Sequence, residues 1–191
     1  MSKIIFILGV SGSWKWTIIS ELLKTGKFIY SPSYSTREMR PWEINWEKYR
    51  FISDEDFRKA IDNDEFLEYN EYSGHLYGTK KDIVAHLQWN KIPIKELDSN
   101  WLSKIIQNHQ IDKQFLSIFF DISEDVMIKR ITSRAPITPE DLERRLARAN
   151  EERTKAKEIC NYIVDTWWDS SNLENNILKI KTILDKELSN L

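Results

Sequence analysis

The sequence is poor in the features that mark several classes of protein. Its single cysteine, Cys160, excludes an internal disulfide and is typical of a reducing compartment. No run approaches the roughly 18 uncharged apolar residues of a transmembrane helix. The net charge is only −2, so no overall field favours nucleic acid or a membrane as a partner. We therefore expect a cytoplasmic, single-domain protein with neither kind of partner; the sequence predicts no oligomeric state.

Glycine is also scarce, and tryptophan is unusually frequent. The 191 residues include 5 glycines and 8 tryptophans, which reverses the usual order. Average glycine usage is about 7%. The two residue types together approach that share of this chain. Composition alone does not explain the coincidence, but the positions of the tryptophans do, as described below.

Strand and helix patterns alternate along the chain. The apolar run KIIFILG (3–9) predicts a buried parallel strand, and the helical spacing of 17–24 follows it. Further strands are predicted at 28–35, 66–72, 91–97, 114–122 and 161–166, and further helices at 54–62, 81–88, 124–134, 139–159 and 172–188. This order predicts a three-layer α/β fold whose parallel sheet has helices around it.

The segment GVSGSWKWT (9–17) joins the first predicted strand to the first helix. Gly9, Gly12, Lys15 and Thr17 match a phosphate-binding loop of the type G-x-x-x-x-G-K-S/T, whose backbone N–H groups and lysine hold phosphate oxygens. Trp14 stands where the backbone must approach phosphate and glycine is expected, and Trp16 is a second departure. Alone, the segment is equally compatible with an ordinary strand-to-helix turn.

Two later segments carry polar side chains suited to a nucleotide. SPSYSTREMRP (31–41) brings Arg37 and Arg40 beside several hydroxyls, and arginine forks suit phosphate oxygens. FLEYNEYSGHLYGT (66–79) supplies Glu68 with nearby hydroxyls, and a carboxylate suits a base with adjacent N–H donors such as guanine. Taken singly, each has a simpler explanation as solvated arginines or half-buried strand residues.

In order and spacing, GVSGSWKWT, SPSYSTREMRPWEINWEKYRF, FLEYNEYSGHLYGT and DSNW resemble the guanylate kinase family over nearly the whole chain. The resemblance implies a P-loop NTPase fold with a parallel sheet, a small β-rich GMP-binding insert and a helical lid. It places the core at 1–30, 80–125 and 160–191, the GMP-binding part at about 31–79, and the lid at about 126–159. The implied activity is ATP-dependent phosphorylation of GMP to GDP, in purine nucleotide metabolism.

The resemblance also implies roles for individual residues. The ATP-binding residues would be Gly9, Val10, Ser11, Gly12, Ser13, Trp14, Lys15, Trp16 and Thr17. The GMP phosphate would bind Ser33, Arg37, Arg40, Tyr49 and Tyr77, and guanine would be recognised by Glu68, Thr79 and Asp98. The catalytic cations would be Lys15, Arg37, Arg130, Arg134 and Arg145. Mg²⁺ is expected with ATP. No direct protein ligand is assigned to it, and the sequence leaves open whether the ion is contacted by Thr17 or by water.

Against the family pattern, five tryptophans stand at glycine positions: Trp14, Trp16, Trp42, Trp46 and Trp101. The other three, Trp89, Trp167 and Trp168, lie at predicted turns where glycine is common. Every one of these changes replaces glycine with tryptophan, which suggests that a single codon has been translated differently. We therefore expect UGA codons at these positions, written here as tryptophan but read as glycine by the source organism. The alternative is a genuinely tryptophan-rich relative.

Two other functions compete with GMP phosphorylation. A non-catalytic guanylate-kinase-like protein-interaction module would lose residues of the ATP site, whereas Lys15 and the arginines are retained here. A kinase for another nucleoside monophosphate is disfavoured by Glu68 and Asp98. Phosphoryl transfer requires positioning and several converging cations rather than a general base, which agrees with the retained residues.

Overall fold

A computed structural model describes residues 3–41, 43–45, 47–72, 74–83, 91–107, 115–134, 136–166 and 173–188. The strands are β1 Ile4–Gly9, β2 Phe28–Tyr30, β3 Ser33–Ser35, β4 Tyr49–Phe51, β5 Phe66–Tyr72, β6 His75–Lys80, β7 Ile92–Glu96, β8 Phe115–Asp121 and β9 Tyr162–Asp165. The helices are α1 Lys15–Leu23, α2 Asp54–Asp62, α3 Ser99–Gln107, α4 Glu124–Arg134, α5 Pro139–Ile159 and α6 Leu173–Leu188.

The larger sheet has five parallel strands in the order β2-β7-β1-β8-β9. Side chains along the central strand β1 alternate between two apolar layers. Ile4, Phe6 and Leu8 pack with residues of α3, α4 and α5. Ile5 and Ile7 pack with residues of α1 and α6 on the opposite face. Helices therefore cover both faces, and the predicted three-layer α/β fold with a parallel sheet is confirmed.

A smaller sheet has the order β4-β3-β6-β5, in which β3 runs parallel to β4 and antiparallel to β6. Strands β5 and β6 form a hairpin, with Gly74 at a φ of +77° in the turn. A separate core lies on this sheet, where Phe57 of α2 stacks on Phe66 with ring centroids 4.4 Å apart. The sheet occupies most of the predicted GMP-binding part; the functional division into core, GMP-binding part and lid stays a prediction.

The single strand expected at 28–35 is two strands that belong to different sheets. The N–H of Ser31 donates to the carbonyl oxygen of Ile94 at 2.8 Å, which extends the pairing of β2 with β7. Pro32 follows and has no N–H to donate, so the ladder ends there. The chain then crosses to the smaller sheet as β3, and the proline is the physical reason for the break.

Most of the other elements follow the predicted pattern, but β4, β6 and α3 were not predicted from the sequence. Helix α5 spans the expected 139–159, because Thr138 caps its first turn by accepting a hydrogen bond from the N–H of Asp141 at 3.2 Å and Pro139 occupies the first helical position. Most of the helix predicted at 81–88 lies outside the described residues. None of the helices within the described ranges is long and apolar enough to cross a membrane.

Candidate active site

The loop between β1 and α1 begins at a position that only glycine fits. A Cβ atom on Gly9 would lie 2.4 Å from the carbonyl oxygen of Phe120 on the neighbouring strand. Gly12 has a φ of +81°, in the region that favours glycine. The N–H groups of the first turn of α1 have no acceptor within the helix and point toward the loop. This loop lies at the carboxyl edge of the parallel sheet, where α/β folds commonly bind ligands.

Lys15 holds its ammonium group over this loop. Its Nζ atom donates to the carbonyl oxygens of Gly9 at 2.8 Å and Val10 at 3.2 Å. The same atom lies 3.7 Å from the carboxylate of Glu96 at the end of β7. The lysine thus bridges the end of β7, the end of β1 and the loop that follows β1.

Trp14 and Trp16 occupy very different conformations. Trp14 has a left-handed backbone with φ 60° and ψ 29° at the cap of α1, which is costly for a residue with a Cβ atom. Its ring lies 5.3 Å from the guanidinium carbon of Arg130. Trp16 is helical, and its ring makes an edge contact with Tyr30 at 5.1 Å and lies 4.1 Å from the Nζ atom of Lys48. Position 14 therefore has the backbone of a glycine, whereas the side chain at position 16 packs well.

The other tryptophans give less information about this question. Trp101 lies in the first turn of α3, where its backbone N–H donates to Asp98 Oδ1 at 3.0 Å. Trp42, Trp46, Trp89, Trp167 and Trp168 lie outside the described residues. The expectation of glycine at these positions stays a prediction.

Of the three lid arginines, Arg130 lies at the phosphate loop. Its Nη1 atom donates to the carbonyl oxygen of Gly12 at 2.8 Å, so α4 packs directly on the loop. Arg145 is on the exposed face of α5. Arg134 is the last residue of α4, and its side chain is not among the parts that the structure describes. The structure brings one of these three predicted catalytic cations to the loop.

Arg37 lies in an aromatic and acidic setting on the smaller sheet. Its two terminal nitrogens donate to the carboxylate of Glu43 at 2.6 and 2.5 Å. Its guanidinium carbon lies 4.8 Å from the ring centre of Tyr49 and 4.9 Å from that of Phe51. Tyr77 borders the same space, with its ring 6.2 Å from Tyr49. Hydrogen bonding to Arg37 lowers the pKa of Glu43 to about 2, so this carboxylate is a strong partner for the fork.

Two more predicted phosphate ligands border this cluster. Ser33 is buried on β3, and its Oγ atom accepts a hydrogen bond from Lys95 Nζ at 2.8 Å. Arg40 has an exposed side chain, while its backbone N–H donates to Glu43 Oε2 at 2.9 Å. Glu43 therefore binds the guanidinium of Arg37 and the backbone of Arg40, contacts that the sequence did not predict.

Glu68 and Thr79 face each other across the hairpin of β5 and β6 and are almost fully buried. Within the described part of the chain, neither carboxylate oxygen of Glu68 and no hydroxyl of Thr79 meets hydrogen-bond geometry with a protein partner. Burial raises the pKa of Glu68 to about 7, although the neighbouring Thr79 hydroxyl lowers it in part. Buried polar atoms are normally hydrogen-bonded, so these two side chains have hydrogen-bonding capacity that the described residues do not use.

Asp98 directly precedes α3 and contacts α5, which belongs to the predicted lid. Its Oδ2 atom is 3.4 Å from Arg148 Nη2 on α5, and Arg148 also binds Glu152 with an N–O distance of 3.1 Å. Arg148 is exposed on α5. The i,i+4 spacing with Glu152 was the only sequence signal of a partner, and it gave no indication of Asp98.

Lys95 is the other functional candidate that the sequence did not predict. It is fully buried on β7, between Ile94 and Glu96. Its only sequence signal is a charged residue within a buried strand pattern. No cluster of three or more histidine, cysteine, aspartate or glutamate side chains suited to a metal ion occurs among the residues that the structure describes.

The fold is that of the P-loop kinases. A shikimate kinase from Bacteroides thetaiotaomicron superposes with a TM-score of 0.52 at 12% identity, covering 96% of this chain and 98% of that one. A guanylate kinase from Anaplasma phagocytophilum superposes with a TM-score of 0.71 at 22% identity, covering 97% of this chain and 86% of that one. These likenesses establish the kind of fold.

Sequence comparison then identifies the family. The family model for guanylate kinase matches residues 1–187. The guanylate kinase of Mesomycoplasma hyopneumoniae strain 7448 is 34% identical over 195 aligned residues, covering 98% of this chain and 96% of the relative. That of Trichormus variabilis is 36% identical over 166 residues, covering 85% and 82%. The chain belongs to the guanylate kinase family and is a nucleoside monophosphate kinase.

Proposed function

We propose that this chain transfers the γ-phosphoryl group of ATP to the phosphate of GMP, which yields ADP and GDP. The observation that carries the choice of GMP is the buried Glu68 carboxylate, which faces Thr79 and lacks a hydrogen-bonding partner among the described residues. A phosphate loop with Lys15 at its mouth supplies the other half of the site. Both substrates are found in the cytoplasm, where we expect the protein to act.

ATP binds at the loop of residues 9–17. The loop N–H groups and the amino end of α1 hold phosphate oxygens, and Lys15 moves from the carbonyls of Gly9 and Val10 to the β- and γ-phosphates. Mg²⁺ bound with ATP would supply neutralisation of the phosphate charge. The half-buried Thr17 on the first turn of α1 has a hydroxyl oxygen that would help to hold such an ion, which keeps several of its waters.

The phosphate of GMP binds between the arginines and tyrosines of the smaller sheet. Tyr49 lies against the guanidinium of Arg37. Ser33, Arg40, Tyr49 and Tyr77 are proposed to hold the phosphate oxygens together with Arg37. Glu43 occupies that fork in the free protein. The phosphate is an equally good bidentate partner, so its binding competes with Glu43 for Arg37.

Guanine is recognised by side chains that accept hydrogen bonds from it. Glu68 accepts from the adjacent N–H groups at positions 1 and 2 of the base, and Thr79 and Asp98 complete the recognition. Adenine has an acceptor at ring position 1, so it would place a lone pair against the carboxylate. A site that leaves buried polar groups unpaired with the wrong ligand discriminates strongly.

The chemical step is direct attack by a GMP phosphate oxygen on the γ-phosphorus of ATP. Lys15, Arg37, Arg130, Arg134 and Arg145 are proposed to stabilise the charge that spreads over the transferring group. Arg130 is already bound to the loop through the carbonyl oxygen of Gly12. Closure of α4 and α5 over both substrates would bring in the other two lid arginines and exclude water.

The test is a coupled assay of ADP release with GMP, AMP or UMP as acceptor. GMP should support turnover and the other two should not. Lys15→Met should abolish turnover, whereas Lys24→Met, a change of an exposed lysine just after the same helix, should not. Binding of GMP without ADP release would favour the non-catalytic interaction module, and equal turnover with AMP would contradict the assignment of Glu68.

A further inference from the structure

Lys95 is an unexpected polar side chain in the interior of the protein. It lies on β7 and is fully buried, although lysine is almost never fully buried without a partner. Burial lowers the pKa of Lys95 well below its ordinary value. The amino group carries N–H donors whether or not it is charged, so its hydrogen bonding indicates its role.

The Nζ atom of Lys95 donates to Ser33 Oγ at 2.8 Å, which is its one hydrogen bond among the described residues. This contact joins β7 of the larger sheet to β3 of the smaller sheet. It occupies one of the two acceptor positions of the Ser33 hydroxyl, so the hydroxyl proton points away from Lys95. Within the part of the chain that the structure describes, that proton is donated to no other residue.

Ser33 lies on the face of the smaller sheet that carries Arg37. Adjacent side chains of a strand point to opposite faces, and Tyr34 packs into the separate core that this sheet forms with α2. Ser33 therefore points to the other face, beside its paired residue Tyr49. The ring centre of Tyr49 lies 4.8 Å from the guanidinium carbon of Arg37. The Ser33 hydroxyl is thus on the side where the phosphate of GMP is proposed to bind.

We propose that Lys95 is a positioning residue of the GMP site: its amino group donates to the Ser33 hydroxyl and so orients that hydroxyl to donate its own proton to a phosphate oxygen of GMP. This inference rests on the proposed function and deepens it. Lys95 has no exposure, so it acts through Ser33 and does not touch the substrate. A hydroxyl that accepts from an amine is also a stronger donor, because hydrogen bonds in a chain polarise one another.

The first experiment compares Lys95→Met with the parent enzyme, using GMP and guanosine. Methionine keeps the unbranched shape and removes the donor. The KM for GMP should rise about fivefold, the effect of one net hydrogen bond. The KM for ATP should stay unchanged, and so should the inhibition constant of guanosine, which lacks the phosphate. An equal loss of affinity for guanosine would overturn the proposal, because Lys95 would then act on the base or on the whole site.

The matched control is Lys3→Met, which makes the same chemical change at the opposite edge of the larger sheet. Lys3 directly precedes β1, and its partly buried Nζ atom lies 2.9 Å from the carboxylate of Glu187. Neither KM value should change in this variant, and nor should the inhibition constant of guanosine. The proposal is overturned if Lys95→Met leaves the KM for GMP unchanged, as this control should.

A double-mutant cycle shows whether Lys95 acts through Ser33. In a Ser33→Ala background, Lys95→Met should alter the KM for GMP by less than about twofold, because the hydroxyl that it orients is absent. If the full effect persisted in that background, Lys95 would act on the phosphate by its charge, and the proposal would be overturned. Loss of GMP turnover by the parent enzyme would instead reject the proposed function, which separates the two failures.

Should Lys95→Met not fold, the parent protein itself supplies the decisive observation. A crystal structure of its complex with GMP should place Ser33 Oγ within about 3.2 Å of both Lys95 Nζ and a phosphate oxygen. A Ser33 hydroxyl that contacted only one of these two atoms would overturn the proposal whatever the variants do.

Discussion

Arg37 and Glu43 form a two-point ion pair in which the nitrogens of the guanidinium lie 2.6 and 2.5 Å from the two carboxylate oxygens. The pair lies beside the rings of Tyr49 and Phe51, with both charged side chains largely covered. A carboxylate therefore occupies, in the free protein, the fork proposed to bind the phosphate of GMP. This relationship makes the electrostatics of the site measurable without substrate.

The first prediction concerns the pKa of Glu43. It should be about 2 in the free protein, mainly because of the hydrogen bonds from Arg37, and should return toward the ordinary value of 4.5 in Arg37→Met. Since the folded pKa is the lower one, the stabilisation is present above pH 4.5 and is lost as pH falls through 2. Carbon-13 NMR titration of the side-chain carboxyls measures the pKa of Glu43 in both proteins.

Glu65 is the internal control for that titration. Its pKa is also lowered by a cation, through Lys80 Nζ at 2.5 Å, in another part of the same sheet. The Arg37→Met change should leave the Glu65 pKa where it is. If the pKa values of Glu43 and Glu65 both changed, the result would indicate general loss of structure rather than loss of one ion pair.

The second prediction concerns the choice of base. Glu68→Gln leaves one acceptor and introduces an NH₂ group that opposes the donors of guanine, so kcat/KM for GMP should fall about 100-fold. Activity with AMP should change little, which reduces the selectivity ratio. Steady-state kinetics with both acceptors measures it, and Glu71→Gln, an exposed position on the same strand, is the matched control. An unchanged ratio would remove Glu68 from guanine recognition.

The third prediction concerns Trp14, whose φ of 60° is unfavourable for tryptophan. Trp14→Gly should relieve about 1–2 kcal/mol of strain, partly offset by a lost contact with Arg130, and should raise the melting temperature by about 2–4 °C. It should also strengthen ATP binding in a calorimetric titration, because the indole leaves the phosphate loop.

Asp64→Gly provides the comparison, since Asp64 also has a positive φ, of 53°, but lies far along the chain at the end of α2. That change should leave ATP affinity unaltered. Unchanged ATP affinity in Trp14→Gly would contradict the role assigned to position 14. Trp16→Gly should lower stability instead, because it removes the edge contact with Tyr30.

The origin of the tryptophans has its own test in the coding DNA. TGA codons at positions 14, 42 and 101 would support decoding as glycine, and TGG codons there would reject it. Mass spectrometry of the natural protein reads the same answer directly, because glycine and tryptophan differ greatly in mass.

The fourth prediction concerns the lid. Arg130→Met should lower kcat about 1,000-fold with a much smaller change in KM, because the arginine stabilises charge that develops in the transition state. Lys129→Met, which removes an exposed charge next to it on α4, should have almost no effect. Single-turnover kinetics separates the chemical step from product release. A variant that changed only KM would place Arg130 in ground-state binding.

The sequence predicted the fold well because its signals are local. The apolar run of β1, the glycines of the loop and the Thr138–Pro139 cap of α5 each determine their own conformation. The break of 28–35 at Pro32 was missed because apolar alternation continues through a residue that cannot extend the ladder.

The site was only partly predictable for a related reason. Motif positions such as Lys15, Arg37 and Glu68 follow from the resemblance, and the structure places Lys15 at the loop and the other two on the smaller sheet. The contacts of Lys95 with Ser33, and of Arg148 with Asp98, join residues 62 and 50 positions apart. No local pattern encodes such pairs, because they depend on how separate strands and helices are brought together.

The most direct test of the central claim is phosphorus-31 NMR of ATP and GMP mixed in equal amounts with the protein and Mg²⁺. The account predicts that ATP and GMP are consumed together, that ADP and GDP appear in equal amounts, and that a Lys15→Met preparation made in the same way shows neither. Persistence of GMP, or release of inorganic phosphate in place of GDP, would contradict it.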